Sequence, residues 1–175
     1  MTALHHERSC GVIPFRRASD GGPIEFLIVH SALVRNPEAC WEFPKGSPNP
    51  GETDLETALR ELREETTLTE IDLLPDFRDQ VCYTYRRDGR EIEKTVVFFV
   101  AEVMDWAGIP ERAPTNEHVA HPRYRQWHRW GKEQEVHRML FHAGMRNLLD
   151  RTARFIYEFD RLRRKSAPAP TLSAS

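Results

Sequence analysis

The stretch Gly46-Ser47-Pro48-Asn49-Pro50-Gly51-Glu52-Thr53-Asp54-Leu55-Glu56-Thr57-Ala58-Leu59-Arg60-Glu61-Leu62-Arg63-Glu64-Glu65-Thr66-Thr67-Leu68 decides how the rest of the chain is read. With Trp41 to Pro44 in front of it, Trp41 to Gly51 carries two Gly and three Pro within eleven residues, a density that neither a helix nor a central strand tolerates. That part is a loop. Thr53 followed three residues later by Glu56 is a capping box, and Leu55, Ala58, Leu59 and Leu62 then recur at helical spacing. The spacing predicts a helix from about Thr53 to Thr67 with those four on its core side. Glu61, Glu64 and Glu65 share another side, because positions three and four apart are neighbours on a helix. Like charges so placed repel unless something binds them, and hard divalent cations such as Mg²⁺ prefer carboxylate oxygens while keeping waters that a polyphosphate can replace. Arg60 is spaced to pair with Glu52 or with Glu64 and to fix its orientation.

An isolated E-x-x-E-E triplet is ordinarily a solvated surface. Here six fixed residues and two aliphatic ones recur at set distances, and at roughly 5% usage per residue type such a pattern is expected on the order of 10⁻⁹ times per start position. The pattern resembles the Nudix box, G-x5-E-x7-R-E-U-x-E-E-x-G-U, where U is a bulky aliphatic residue. One fixed position departs: Thr67 stands where the family has glycine. That glycine ends the box helix in a left-handed conformation that Thr adopts only at a cost, so a different helix end is expected.

Working outward, 175 residues bound the chain to about one domain. A hydrophobic share of 39% beside 30% charged residues describes a globular protein with a real core. Lys+Arg 25 against Asp+Glu 27 leaves a formal charge of -2, too little positive field to hold a nucleic-acid backbone, though a local phosphate site is allowed. Cys10, Cys40 and Cys82 are too few and too scattered for a disulfide framework or a zinc ribbon, which suits a reducing cytoplasm. With no apolar run long enough to span a bilayer and no signal-like start, neither export nor membrane anchoring is expected.

Cys10 to Arg16 and Ile24 to Ser31 read as a β-hairpin around a cluster of turn formers. Phe77 to Arg86 and Glu91 to Met104 flank Asp88-Gly89 and read as a second one. Asp105 to His121 reads as loop and Arg123 to Trp130 as one more strand, with Trp127 and Trp130 expected to anchor it to the C-terminal helices. From Lys132, apolar spacing predicts one or two amphipathic helices ending near Lys165, and residues 166–175 are Ala/Pro/Ser-rich and expected to be disordered. The basic residues Arg151, Arg154, Arg161, Arg163, Arg164 and Lys165 favour a solvated face, with an acidic partner as the alternative.

The Nudix resemblance implies an α+β chain folded as an α/β/α sandwich around a mixed sheet, with residues 1–165 a single domain. It also implies hydrolysis of a nucleoside diphosphate linked to another group, dependent on Mg²⁺, with Mn²⁺ as the substitute ion. Glu61, Glu64 and Glu65 are then the metal ligands, Glu64 the general base, and Glu52 the carboxylate that orients Arg60. Within the family the stretch from Cys10 to Trp130 is most similar to the asymmetrical diadenosine tetraphosphate hydrolases, on Cys10-Gly11-Val12-Ile13-Pro14-Phe15-Arg16-Arg17, Trp41-Glu42-Phe43-Pro44-Lys45-Gly46 and Lys94-Thr95-Val96-Val97-Phe98-Phe99-Val100-Ala101-Glu102-Val103. In that subfamily a Glu-His pair after the sheet, matched by Glu117-His118, supplies a Glu that completes the metal site.

Lys45 beside Gly46 places an ammonium where a phosphate chain would lie. Tyr83 and Lys94 face each other across the Asp88-Gly89 hairpin, and by resemblance they bind nucleotide and phosphate. Tyr85, assigned to the opposite strand face, is the other stacking candidate. The expected partner is a small nucleotide, with nucleic acid entering only as a 5′-end substrate. The rival readings are an RNA 5′-pyrophosphohydrolase, another nucleotide or inositol pyrophosphatase, and a non-catalytic nucleotide-binding Nudix module.

Overall fold

The computed structural model describes residues 4–17, 22–31, 41–105 and 126–166. Its longest contiguous buried run, Ser9 to Arg16, lies in strand β1 (His5–Arg17), which sits inside the sheet and is covered on both faces. β1 pairs in parallel with β6 (Arg90–Val103) from His5 to Phe15. Its other edge changes neighbour. Cys10 and Gly11 pair with the two-residue β3 (Lys45–Gly46), and Phe15 to Arg17 pair with β2 (Ile24–Ser31). Pro14, which has no N–H to donate, falls between the two pairings. β4 (Ile71–Leu73) and β5 (Asp79–Arg87) join β6, and β7 (Gln126–Lys132) closes the far edge beside β2. All pairs except β1 with β6 are antiparallel, so the sheet is mixed.

Alternation along the strands splits the core in two. Ile13, Phe15, Phe26, Ile28, Val96 and Phe98 face α2 (Glu133–Met139) and α3 (Ala143–Ser166), whose Leu148, Leu149 and Ile156 complete that layer. Cys10, Val12, Leu27, Val97 and Ala101 face α1 (Asp54–Thr66) through Ala58 and Leu62. The result is the α/β/α sandwich that the family resemblance implies. Trp130 corrects one expectation. It packs in the α1 layer, with the Arg16 guanidinium 4.4 Å from its ring centroid, because its place on β7 turns it away from the C-terminal helices. The side chain of Trp127, the loop expected from 106 onward and the tail 167–175 lie outside the described residues.

Helix α1 begins as its sequence dictates, with the Thr53 hydroxyl accepting from the Glu56 N–H at 3.2 Å and the Glu56 carboxylate accepting from the Thr53 N–H at 2.8 Å. Its buried side is Ala58 and Leu62 together with Thr57 and Thr66, while Leu55 and Leu59 are only half-buried. At its other end the expectation of a different terminus fails. Thr67 takes the left-handed conformation, φ 64°, and its N–H donates to the Arg63 carbonyl at 2.9 Å, as a glycine would. Leu68 must turn into the core at once, and the Thr66 hydroxyl accepts its N–H at 3.2 Å, so tertiary packing imposes the strained turn. Thr67→Gly is therefore expected to stabilise the fold by about 1 kcal/mol, the strain of an L-residue in this region less the extra freedom glycine brings to the unfolded chain. A urea midpoint that stays put or falls would show that Thr67 is not strained.

The Asp88-Gly89 turn has φ 51° and 75°, the two positive values of the tight hairpin turn its sequence announces. Gly11 serves a different need. A Cβ there would meet the Pro44 carbonyl oxygen at 2.3 Å and the Lys45 Cβ at 2.7 Å, so only glycine lets the loop before α1 close onto β1.

Candidate active site

The guanidinium of Arg60 organises the acidic face of α1. Its Nε and Nη2 grip Glu52 at 2.7 and 3.0 Å, Nη2 also reaches the Ser47 carbonyl at 2.9 Å, and Nη1 donates to Glu61 at 2.8 Å and Glu64 at 3.3 Å. The spacings that suggested pairing with Glu52 or Glu64 are both used, and Glu61 is added. Glu52 further accepts from the Asn49 backbone at 2.8 Å and the Thr57 hydroxyl at 3.1 Å. Arg60 first, then the Asn49 amide, hold its carboxyl far below the usual carboxylate range. A carboxyl depressed in this way stabilises the fold above its ordinary pKa, and that contribution fades as pH falls through the depressed value. Glu52 in turn is the first of the causes that raise the Arg60 pKa further.

The three box glutamates are held differently. Glu61 sits in the space a side chain at Gly46 would fill, since a Cβ there would lie 2.0 to 2.2 Å from its carboxylate atoms. Glu65 accepts the Lys45 N–H at 3.0 Å. Glu64 is the open one, its side chain 37% exposed against 15% for Glu61. Among the described residues no three His, Cys, Asp or Glu side chains are arranged as a ready-made metal group. The carboxylates expected to converge on a cation meet Arg60 or a backbone amide instead. The donor set still fits a hard divalent ion. Glu61 and Glu64 each spend a single oxygen on Arg60, and all three donors are carboxylates within two helical turns. Glu117 lies outside the described residues.

Strand β3 links this acidic face to a second cluster on the opposite layer of the sheet. The backbone of Lys45 holds Glu65, while its side chain, 9% exposed, pairs with Glu42 at 2.7 Å. Burial works against the ammonium, but Glu42 outweighs it and leaves the Lys45 pKa raised. Tyr83 stands opposite Lys94 in the hairpin register, as expected. Burial first and the charge of Lys45 second lower the Lys94 pKa, so the two lysines share one corner. Tyr85 does not point the other way. Residues two apart on a strand share a face, and the rings of Tyr83 and Tyr85 lie 6.2 Å apart. The Tyr85 hydroxyl donates to Glu7 at 2.8 Å, and Arg87 pairs with the same carboxylate.

Two histidines that form no recognisable spacing in the sequence take part. The His142 ring stacks on Tyr83 at 4.8 Å with 18° between planes. Burial lowers its pKa, with Glu42 acting in the opposite sense. His128 on β7 donates from Nε2 to the Glu65 carbonyl at 2.7 Å and pins the end of α1 to the sheet. Burial lowers its pKa too, against the pull of that carbonyl.

The arrangement joins carboxylates suited to a divalent cation to a corner with two lysines and two parallel rings. The chain is also similar to known proteins, in sequence and in fold. Residues 5–152 match the family described as NUDIX domain. The asymmetrical bis(5'-nucleosyl)-tetraphosphatase of Mus musculus is 40% identical over 105 residues, covering 57% of this chain and 67% of that protein. The RNA pyrophosphohydrolase of Bartonella bacilliformis is 29% identical over 85 residues, 49% of this chain and 50% of that protein. Among solved structures, a Caenorhabditis elegans Ap4A hydrolase binary complex superimposes with a TM-score of 0.66 at 23% identity, covering 87% of this chain and 98% of that one.

Proposed function

This chain belongs to the Nudix family of pyrophosphohydrolases, and we propose that it hydrolyses a dinucleoside polyphosphate, with diadenosine tetraphosphate yielding ATP and AMP. The observation that carries this reading is the corner of Lys45, Lys94, Tyr83 and His142 beside the acidic helix. A substrate with a phosphate chain and a purine at its end needs cations, a flat ring to stack on and a cation-binding carboxylate set in a row. The 40% identity to the Mus musculus tetraphosphatase supports it.

Glu61, Glu64 and Glu65 hold the divalent ion in this reading, Mg²⁺ by the hardness of the donors. When bound, the ion neutralises phosphate oxygens and lowers the barrier to attack at phosphorus. The chain's own residues do the rest. Lys45 and Lys94 bind and orient the phosphate chain, Tyr83 and His142 seat the base, and Arg60, anchored by Glu52, keeps Glu61 and Glu64 in place. Glu64, the exposed carboxylate, takes a proton from the water that attacks one phosphorus in line with its leaving group. The water supplies oxygen to AMP, and ATP departs with the bridging oxygen.

Cys10 and Cys82 are free thiols, and burial pushes the Cys10 pKa up to about 11, so a reducing compartment such as the cytoplasm suits the chain. No described helix is long and apolar enough to cross a membrane.

The test is product analysis under Mg²⁺ with diadenosine tetraphosphate, 5′-triphosphorylated RNA, an oxidised nucleoside triphosphate and an inositol pyrophosphate. Equal amounts of ATP and AMP from the first, at a kcat/KM at least ~10-fold above the others, is the expected result. A preference for the RNA end would assign the chain the activity that its Bartonella bacilliformis relative is named for.

A further inference from the structure

A cavity of about 640 Å³ opens between the end of β1 and the last three turns of α3, and it shares no residue with the cluster around Arg60 or with the lysine corner. Tyr157, Asp160, Arg161, Arg164 and Lys165 line one side of it. Their spacing of three, four, seven and eight places them on one helical stripe. Arg17 of β1 faces them and is already neutralised, pairing with Asp160 at 2.6 Å and with Glu102. Burial opposes the charge on Arg17, but Glu102 and Asp160 raise its pKa, so it stays a cation.

The remaining charge is not balanced. Arg161, Arg163, Arg164 and Lys165 are all exposed, and none of them has an ion pair among the described residues. Arg163 has a separate role, with its guanidinium 5.7 Å from the Phe159 ring centroid. The end of a helix favours cations, which accounts for some of this charge. It does not account for four within five residues around a hollow, where Arg161 and Lys165 repel at one turn's distance. On a chain of formal charge -2 this is a local excess of positive charge. Tyr157, 54% exposed, adds a flat ring at the other end of the stripe, and the buried Ile24 gives an apolar floor. From Tyr157 to Lys165 the helix rises about 12 Å, enough to seat a ring at one end and a phosphate chain along the rest.

We propose that this cavity is a second, non-catalytic binding site for a nucleoside polyphosphate, with the phosphates on Arg161, Arg164 and Lys165 and the base against Tyr157. The size suits a small ligand, and the combination of concave shape, several cations and one aromatic ring selects a nucleotide over a flat polyanion. The site stands whether or not the chain hydrolyses dinucleoside polyphosphates, because none of its residues takes part in that chemistry.

Calorimetric titration of the whole protein with ATP in EDTA and in a buffer free of phosphate tests this, since without a divalent ion the acidic helix repels phosphate. The expected result is a binding component that the double change Arg161→Glu with Arg164→Glu weakens at least 10-fold, that Lys45→Met leaves intact, and that weakens as salt is raised. Tyr157→Ala should weaken ATP about 10-fold at this component and leave inorganic tripolyphosphate unchanged. Hydrolysis by the double variant should keep its wild-type kcat/KM, and its circular dichroism should match the wild type. Absence of any ATP binding in EDTA, or binding lost with Lys45→Met and indifferent to the arginines, overturns the proposal. Equal affinity for tripolyphosphate and ATP regardless of Tyr157 would replace it with a bare phosphate site, and retention of an RNA oligonucleotide by these arginines without ATP binding would replace it with a nucleic-acid face.

Discussion

Glu64→Gln and Glu65→Gln are each expected to lower kcat by ~10² or more, since each removes a charge that holds the cation facing the phosphoryl oxygens or that accepts the water's proton. The fold should survive both. Glu64 is 37% exposed and contributes a single 3.3 Å contact to Arg60, whose main anchor is the two-pronged grip on Glu52. Glu65 accepts an N–H through an oxygen that a glutamine carbonyl reproduces, so the Lys45 backbone keeps its partner. The two variants should differ in how they fail. Both should raise the Mg²⁺ concentration needed for half-maximal rate, since both remove a metal ligand, and Glu64→Gln alone should also alter the pH profile of kcat, since it removes the proton acceptor as well. Wild-type kcat under saturating Mg²⁺ and substrate would reduce the residue concerned to an ordinary surface glutamate.

What the sequence made legible is what short-range chemistry decides. The start of α1 is written in Thr53 and Glu56, three residues apart, and the Asp88-Gly89 turn in two adjacent residues, and both form as read. The clasp between Glu52 and Arg60 was legible because loop and helix fix their separation. Long-range features were not. His128 meets Glu65 across 63 positions, and the stacking of His142 on Tyr83 depends on how α3 crosses β5, which no local pattern encodes. Thr67 shows the same limit from the other side. Its own preference argued against a left-handed helix end, and the need to bury Leu68 prevailed. β1 extends back to His5 although its first residues are polar, because β6 offers a parallel partner all the way. Tyr85 is a different case, since the period of two along a strand already places it on the face of Tyr83.

That shared face shapes the second large effect, which falls on specificity. Stacking on an aromatic ring contributes ~1 to 3 kcal/mol per base, so Tyr83→Ala should weaken the dinucleotide by about 10- to 100-fold. The ring is half-buried against His142, a stacked partner that a bound purine would extend or displace. Inorganic tripolyphosphate has no base to stack and should be turned over equally by wild type and Tyr83→Ala. Lys45→Met should impair both substrates, because the ammonium acts on phosphate while the methionine preserves the packing of the buried stem. The contrast between the two variants is the measurement. Equal losses on both substrates for Tyr83→Ala would place that ring in the core as a support for His142. The stacking role would then pass to Tyr85, already beside it and held by Glu7, and Tyr85→Phe, which keeps the ring and frees the carboxylate, would separate stacking from the hydrogen bond.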